Sequence, residues 1–568
     1  MDLMEKTFDL AISSIFFFIV GVPAPSNEDP APPTFADAYT ASGFILLPYA
    51  TLREPFTANY DAKQKKSRID YYDGTMKTFQ INTPYTESPN GANFKIVWSP
   101  NRAHVVEEVC YQANATEAAP VNVQSVFPDL HWFKFAGEVD CADGLSDPNL
   151  VAKKKCMTWT NVTTNFGRNS TYTFYAIKDK DTYIPVRYTM LGYDSLFGSH
   201  YDLYEMIYTS YTTGAQDATV FDVVKVAAAG RCVPYPEGSG LSSGHLFNPM
   251  RVFIHRDESH VDEHFEHFKK QHSKRYEDAD NEKLRKDNFR NNQRYIDSMN
   301  RKNKDFKLRI NHLADLHQDE MKFLRGRKYV AGPNGGKVFP AENFIGRELP
   351  DSVDWKPRGV VTEVKDQAIC GSCWSFGATG NIEGMYARKH GKLVRFSEQQ
   401  LIDCSWKFGN GGCDGGQDYQ AYQYIMQHGL STDKEYGAYM GIDGKCHDGP
   451  ALKRELPTLL GYVNVTGEND LKRAVAFVGP ISVGIFAALP SLSFYHTGIF
   501  NDKDCKNGLA DLDHAVLAVG YGVSHEGEAF WIVKNSWSTL WGDDGYVKIA
   551  MKNNICGVTT AATYALVP

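Results

Sequence analysis

The stretch Gln367-Ala-Ile-Cys370-Gly-Ser-Cys373-Trp374-Ser-Phe376 decides how this 568-residue chain is read. Two cysteines three apart suit a redox pair, half a zinc site, or a disulfide partner beside a nucleophile. A zinc site needs a second ligand pair at similar spacing, and none follows. A redox pair belongs near a βαβ pattern, which the surrounding sequence lacks. The third reading predicts a helix from the second cysteine, over residues 374–388, whose N-terminus favours a thiolate. It also requires a histidine and an orienting residue far downstream. His514, in Leu512-Asp-His-Ala-Val-Leu-Ala-Val-Gly, and Asn535, in Val533-Lys-Asn-Ser-Trp537, stand 141 and 162 residues after Cys373. A thiol nucleophile with a histidine partner is the chemistry these spacings imply.

Length and composition bound the rest. At about 150 residues per domain the chain predicts three or four units. An apolar share of 42% and a charged share of 23% are ordinary for globular protein, and a net charge of −8 offers nothing to nucleic acid. The eleven cysteines fall as four before residue 240 and seven after 369. Seven makes three pairs and one free thiol, which suits a single nucleophile. The apolar run Phe8–Val22 falls short of the ~20 residues that span a bilayer, and Pro23-Ala24 follows it. Residues 1–24 therefore read as a signal peptide, with no integral membrane span expected. Four sequons, at Asn114, Asn161, Asn169 and Asn464, would accept glycans in the secretory path.

Residues 35–240 read as a mainly antiparallel β domain, a curved sheet or half-barrel. Ser67–Ile81 alternates on both sides of Asp73-Gly74, as two strands around a tight turn do. Thr171–Ile177, Ile184–Leu191 and Asp202–Tyr211 continue a Tyr- and Thr-rich meander. Its aromatic residues read as core rather than as a ligand cradle. Cys110, Cys141, Cys156 and Cys232 allow three pairings. Cys141–Cys156 with Cys110–Cys232 is favoured, because the short separation suits one hairpin. Gly, Ser and Pro between 234 and 249 mark a linker.

A charged helical segment follows over residues 260–300, with Phe265, Phe268, Phe289, Tyr295 and Ile296 on one stripe. Arg285, Phe289, Asn292, Ile296 and Asn300 fall at the intervals of the ERFNIN pattern, with Asn281 in place of its first Glu. Arg309-Ile-Asn311-His-Leu313-Ala-Asp315 is similar to the G-x-N-x-F-x-D segment, keeping its Asn and Asp. With Cys370-Gly-Ser-Cys373-Trp374 and its distant His and Asn, the chain resembles the papain-like cysteine proteases, in their cathepsin L-like branch. The resemblance implies a helical inhibitory propeptide over 260–345 and an α+β, two-lobed peptidase domain over 349–568, with activation cleavage between Arg347 and Leu349. It implies an endopeptidase with protein and peptide substrates, its own propeptide as inhibitor, no cofactor and no metal, working in a lysosome or another acidic vesicle, or secreted. The order of segments also resembles the insect haemocyte two-chain cysteine protease, in which an N-terminal fragment is retained beside the catalytic chain. A second class of function is a non-catalytic binding or adhesion protein whose β domain does the work. Such proteins lose the nucleophile, and Cys373 is present.

The same resemblance assigns roles. Cys373 is the nucleophile, His514 its acid–base partner, Asn535 the residue orienting the ring, and Gln367 an oxyanion donor. Trp537 shields the His–Asn contact, Gly415, Gly416 and Ala515 meet substrate backbone, and Ala561 floors the S2 pocket. A small floor leaves depth for apolar or aromatic P2 side chains. Asp418 stands where relatives place an apolar wall: facing the pocket, it would mix that preference, and with Tyr419 in its place the pocket stays aromatic. Disulfides are implied at Cys370–Cys413, Cys404–Cys446 and Cys505–Cys556.

Charge suggests how the inhibitory segment is held. Residues 251–328 carry 20 Lys/Arg and 15 Asp/Glu, a net of +5, and residues 349–568 carry 19 and 24, a net of −5. Seven of the seventeen histidines lie between His255 and His317. Their protonation below pH ~6.5 should loosen the segment, with the group between 255 and 272 setting the midpoint. His260 and His264, one turn apart, read as helix surface rather than metal ligands.

Overall fold

The computed structural model describes residues 29–568 except 85–87, 118, 142–150, 152–153, 166, 229, 236–247 and 257. The signal-peptide expectation lies outside the described residues, as does most of the linker. No helix among the described residues is long and apolar enough to cross a membrane.

The N-terminal region is a twelve-stranded sheet built from two meanders, joined where Ala38–Leu47 pairs antiparallel with Ser199–Thr213. Alternation drives it: Lys66–Tyr71 buries every second residue, and Asp73 and Gly74 both take the positive φ that a two-residue hairpin turn needs. The aromatic residues on the inner face pack on one another, with Phe35 stacked on Phe127 at 4.1 Å and Tyr39 and Tyr208 within 5.1 Å of the same ring. This face is core. Disulfides join Cys110 to Cys232 and Cys141 to Cys156.

The helical segment departs from a single run. It forms α1 (Ser259–Gln271) and α2 (Ala279–Lys302). The break falls where Ser273 turns to φ +52° and the Asp278 carboxylate accepts from Asn281 N at 2.7 Å, capping α2. One face of α2 buries Phe289 against Phe265 and Phe268. Its polar members staple the chain that follows: Asn292 Nδ2 donates to Ala314 O and Leu316 O, both 2.9 Å, and Asn300 Nδ2 donates to Leu308 O at 2.9 Å. Arg285 donates to Glu320 at 2.7 Å, and Asp315 accepts from Lys274 and Tyr276. Spaced side chains on one helix thus hold an extended segment in place.

The opposite side of α2 meets the sheet through buried ion pairs, Arg301–Glu54 at 2.6 Å and Arg294–Asp202 at 2.8 Å. Apolar burial runs unbroken from Tyr71 and Tyr204 through Phe253 into Phe265 and Phe289. Two smaller clusters lie within the sheet alone, around Phe79, Phe94 and Ile96 and around Cys156, Ile177 and Val186.

In the C-terminal region, helix α3 (Cys373–His390) packs on the strand His514–Val523, and α4 (Asp418–His428) packs on α3. Fourteen of the eighteen α3 residues are buried, so the helix carries no amphipathic stripe. Three disulfides, Cys370–Cys413, Cys404–Cys446 and Cys505–Cys556, close loops of 42 to 51 residues around this core. The helical segment is sewn across it by main chain: Phe306–Leu308 pairs with Tyr495–Phe500, and Lys337–Val338 with Tyr462–Val465. Asn311 adds a bond to Ser493 O at 2.9 Å.

Asn114 and Asn169 are exposed, while Asn464 is engaged. Its Nδ2 donates to Asn334 Oδ1 at 2.7 Å, so a glycan on that nitrogen would displace the stretch that carries Asn334 and Lys337–Val338. Among the described residues the one group spaced like metal ligands is Cys404, Cys446 and Asp448, and both sulfurs are tied up in a disulfide.

Candidate active site

Cys373 opens α3 and is the chain's free cysteine, fully buried. Its neighbour Cys370 is tied to Cys413, which pins the turn before the helix. Sγ accepts two backbone N–H groups, from Ala515 at 3.4 Å and from Gly326 at 3.3 Å. His514 starts the strand beside α3, and its Nε2 meets Asn535 Oδ1 at 2.8 Å. The amide oxygen accepts, so Nε2 carries the proton and Nδ1 keeps a lone pair for the thiol proton. Nδ1 is buried and makes no hydrogen bond while the plug is in place. Trp537 covers the ring at 4.8 Å and excludes water from the His–Asn bond.

Gln367 is fixed from both ends of its amide. Oε1 accepts from Ser536 Oγ at 2.6 Å, and Nε2 donates to Cys370 O at 2.8 Å and to Leu324 O at 2.9 Å. Leu324 belongs to the segment leaving the helices, and that segment occupies the whole cleft. Gly326 O accepts from Gly416 N at 2.8 Å, and Lys328 N donates to Gly416 O at 3.1 Å. Arg327 N donates to Asp513 O at 2.9 Å on the opposite wall. A β-carbon on Gly326 would lie 1.7 Å from Gly371 O, so only glycine fits against the nucleophile's turn. On the facing strand a β-carbon on Gly415 would lie 2.4 Å from Gly326 O.

The direction of this segment explains why it is not cut. In a cleavable peptide the residues along Gly416 precede the carbonyl held by Gln367. Here the carbonyl held by Gln367 comes first, at Leu324, and the residues along Gly416 follow. The segment therefore runs backwards through the cleft and presents an N–H to Sγ, not a carbonyl carbon.

Burial under this cover also sets the charge state. It pushes the Cys373 thiol up to about 11 and holds His514 down to about 4, the latter against the Asn535 bond. Both groups are neutral in this state between those values. Beneath the site, Lys365 is buried between Glu383 at 2.7 Å and Glu398 at 2.6 Å, and Glu383 also accepts from Thr362.

The sequence-derived site residues thus join one cleft: Ala515 meets Cys373 Sγ, His514 meets Asn535 and Trp537, and Gln367, Trp537, Gly415 and Gly416 meet the plug. Ala561 lies one strand further off, its carbonyl accepting from Gly484 N at 2.8 Å. Asp418 is buried at the start of α4, and its Oδ2 accepts from Ser482 and Thr563 hydroxyls, both 2.7 Å. Sequence reasoning missed Asn410, whose Oδ1 accepts from Gln417 N at 2.8 Å and seats the Gly415-Gly416 turn. It expected residues 260–345 to block the cleft but did not single out Leu324–Lys328 as the plug. Its one sequence signal is a lone glycine between two arginines, which is weak.

Fold and site together define a thiol peptidase held latent by its own chain. The chain belongs to the papain family: residues 349–566 match "Papain family cysteine protease", and residues 265–321 match "Cathepsin propeptide inhibitor domain (I29)". It is similar to a cathepsin L-like peptidase of Aedes aegypti, 44% identical over 322 residues, covering 54% of this chain and 94% of that one. Cathepsin L1 of Drosophila melanogaster is 40% identical over 322 residues, covering 54% and 85%. Among solved structures, the digestive procathepsin L2 proteinase from Tenebrio molitor larval midgut superposes with a TM-score of 0.51 at 33% identity, covering 54% of this chain and all of that one. This protein is a papain-like cysteine endopeptidase, related to cathepsin L-like enzymes and made as a zymogen with an inhibitory propeptide. Somewhat under half of the chain lies outside the match with each of these three relatives, which cover 54% of it.

Proposed function

We propose that Cys373 and His514 cleave peptide bonds once the plug has left. With the cleft open to water, burial no longer suppresses charge, and the thiol proton passes to His514 Nδ1. The Cys373 thiolate adds to the scissile carbonyl carbon, and the carbonyl oxygen becomes an oxyanion held by Gln367 Nε2–H and the Cys373 N–H. As the C–N bond breaks, His514 gives its Nδ1 proton to the leaving amine, leaving a thioester on Sγ. Water then attacks that thioester with Nδ1 as base, which frees the acid and restores the thiol. Asn535 and Trp537 position the ring throughout, and Gly415, Gly416 and Ala515 align the backbone. The observation that supports this reading best is Leu324 O seated on Gln367 Nε2, where a reacting carbonyl would sit. Cys373→Ala should abolish peptide hydrolysis and labelling by a thiol-directed epoxide while the zymogen still folds. Turnover near the parent rate would end the reading.

Maturation is the cut between Arg347 and Leu349, in an exposed run from Ile345 to Glu348, freeing residues 349–568. The compartment is an acidic vesicle of the secretory path, where buried neutral histidines of the cover would gain protons. The N-terminal β region stays with the product as a second chain, in the two-chain manner. Favouring this is the contact of His104 with Asp543, which joins the β region to the catalytic region itself at 3.4 Å. A native-mass measurement of the matured protein, beside a reducing gel, decides it: one species containing both fragments is expected.

A further inference from the structure

Arg327 shows what the specificity pocket accepts. Because Gly326 O and Lys328 N–H are both bound by Gly416, the residue between them sends its side chain away from that strand. It goes to the opposite wall, where a β-carbon on Gly484 would stand 2.7 Å from Arg327 Nε and 3.1 Å from Cζ. Gly484 is bonded to Ala561 O, so the guanidinium lies in the pocket floored by Ala561. Side chains on a reversed backbone reach the same pocket, because the residue is placed by the Gly416 bonds and not by chain direction.

The inner end of this pocket is anionic. Asp418 is held by Ser482 Oγ and Thr563 Oγ1 on Oδ2, both at 2.7 Å, and by Tyr419 N on Oδ1 at 2.8 Å. Three donors fix the position of the group. No Lys, Arg or His nitrogen among the described residues lies within 4.0 Å of it; the Arg327 guanidinium donates from Nη1 to Leu512 O at 3.1 Å, which leaves the carboxyl group to a differently placed occupant of the pocket. Burial holds the Arg327 guanidinium below its ordinary value, and Asp418 is the foremost of the groups opposing that shift. The small residues Gly484 and Ala561 leave length for a long aliphatic stem with its charged head at the carboxylate.

Building on the peptidase reading, we propose that the pocket for the residue two before the cleaved bond is selective for arginine and lysine, with Asp418 as the residue that selects them. This departs from the apolar or aromatic preference that the Ala561 floor alone implies.

The test uses matured enzyme and fluorogenic dipeptides with Arg at P1 and Arg, Lys or Phe at P2. The parent should cleave the Arg and Lys substrates with kcat/KM at least equal to that for Phe. In Asp418→Asn the Arg/Phe ratio should fall on the order of tenfold, mainly through KM. Active-site titration with the epoxide corrects each preparation for its folded fraction. If the variant does not fold, a P2 library on the parent still decides: Arg and Lys at the top support the proposal. A parent preference for Phe beyond about tenfold, or a ratio unmoved in the variant, overturns it. Cleavage of no peptide together with no epoxide labelling would instead bring down the peptidase reading, and this proposal with it.

Discussion

His312 is the most informative residue to perturb in the propeptide. It lies beside Asn311 in the stretch between α2 and the plug, with its ring 6.5 Å from His272. Burial holds its imidazole down to about 4 from the ordinary 6.5, with Asp366 opposing that shift and Lys274 and His272 adding to it, while Asp315 also opposes. The docked propeptide thus requires a neutral ring, whereas the detached propeptide binds a proton from pH 6.5 downward. The stability contributed is complete above pH 6.5 and is lost as pH falls towards 4. At pH 4.5 that loss is about 2.5 kcal/mol, close to a hundredfold in the docking equilibrium. His272, also lowered chiefly by burial, adds in the same direction. His312→Gln should therefore flatten the acid response. In the Cys373→Ala background, which cannot process itself, melting of the zymogen should be followed from pH 7.5 to 4. The parent should lose stability steeply below pH 6, and the double variant should lose about 2 kcal/mol less by pH 4.5. Equal slopes would refute the argument and leave carboxylate titration as the switch.

Two further outcomes follow from the contacts. Gly326→Ala should loosen the plug, because its β-carbon would overlap Gly371 O, and the zymogen should show peptidase activity at neutral pH, read by continuous fluorescence. Glu54→Gln leaves the buried Arg301 guanidinium without its anion and should cost about 3–5 kcal/mol in docking of the β region on α2, read by urea titration and limited proteolysis.

Much of the fold was legible where interactions are local. The hairpin around Asp73-Gly74 follows from alternation and turn chemistry, and α3 follows from the demand for a helix at the nucleophile. Its all-round burial left no periodicity to detect, so the motif carried that expectation. The split between α1 and α2 was not legible, because an Asp278 cap reads like any other charge in a polar run. The histidines illustrate a second limit. Their number suggested repulsion among surface charges between 255 and 272, whereas His312 and His272 matter through burial, which only tertiary packing determines. The orientation of Asp418 depends on the phase with which α4 begins, and two hydroxyls from distant strands hold it. The plug was hidden for a related reason: a backward-running segment bonds through backbone, and only Gly326 marks it in the sequence.

The central claim is that the plug keeps Cys373 and His514 neutral and that its removal lets them ionise. Alkylation of Cys373 by iodoacetamide, followed by mass spectrometry across pH 4 to 10, tests this in zymogen and matured enzyme alike. The account predicts slow reaction of the zymogen between pH 6 and about 9, where the plug stays docked, rising towards its thiol value of about 11. It predicts fast reaction of the matured enzyme from about pH 5 upward, at least a hundredfold faster at pH 6. Matching curves for the two forms would contradict it.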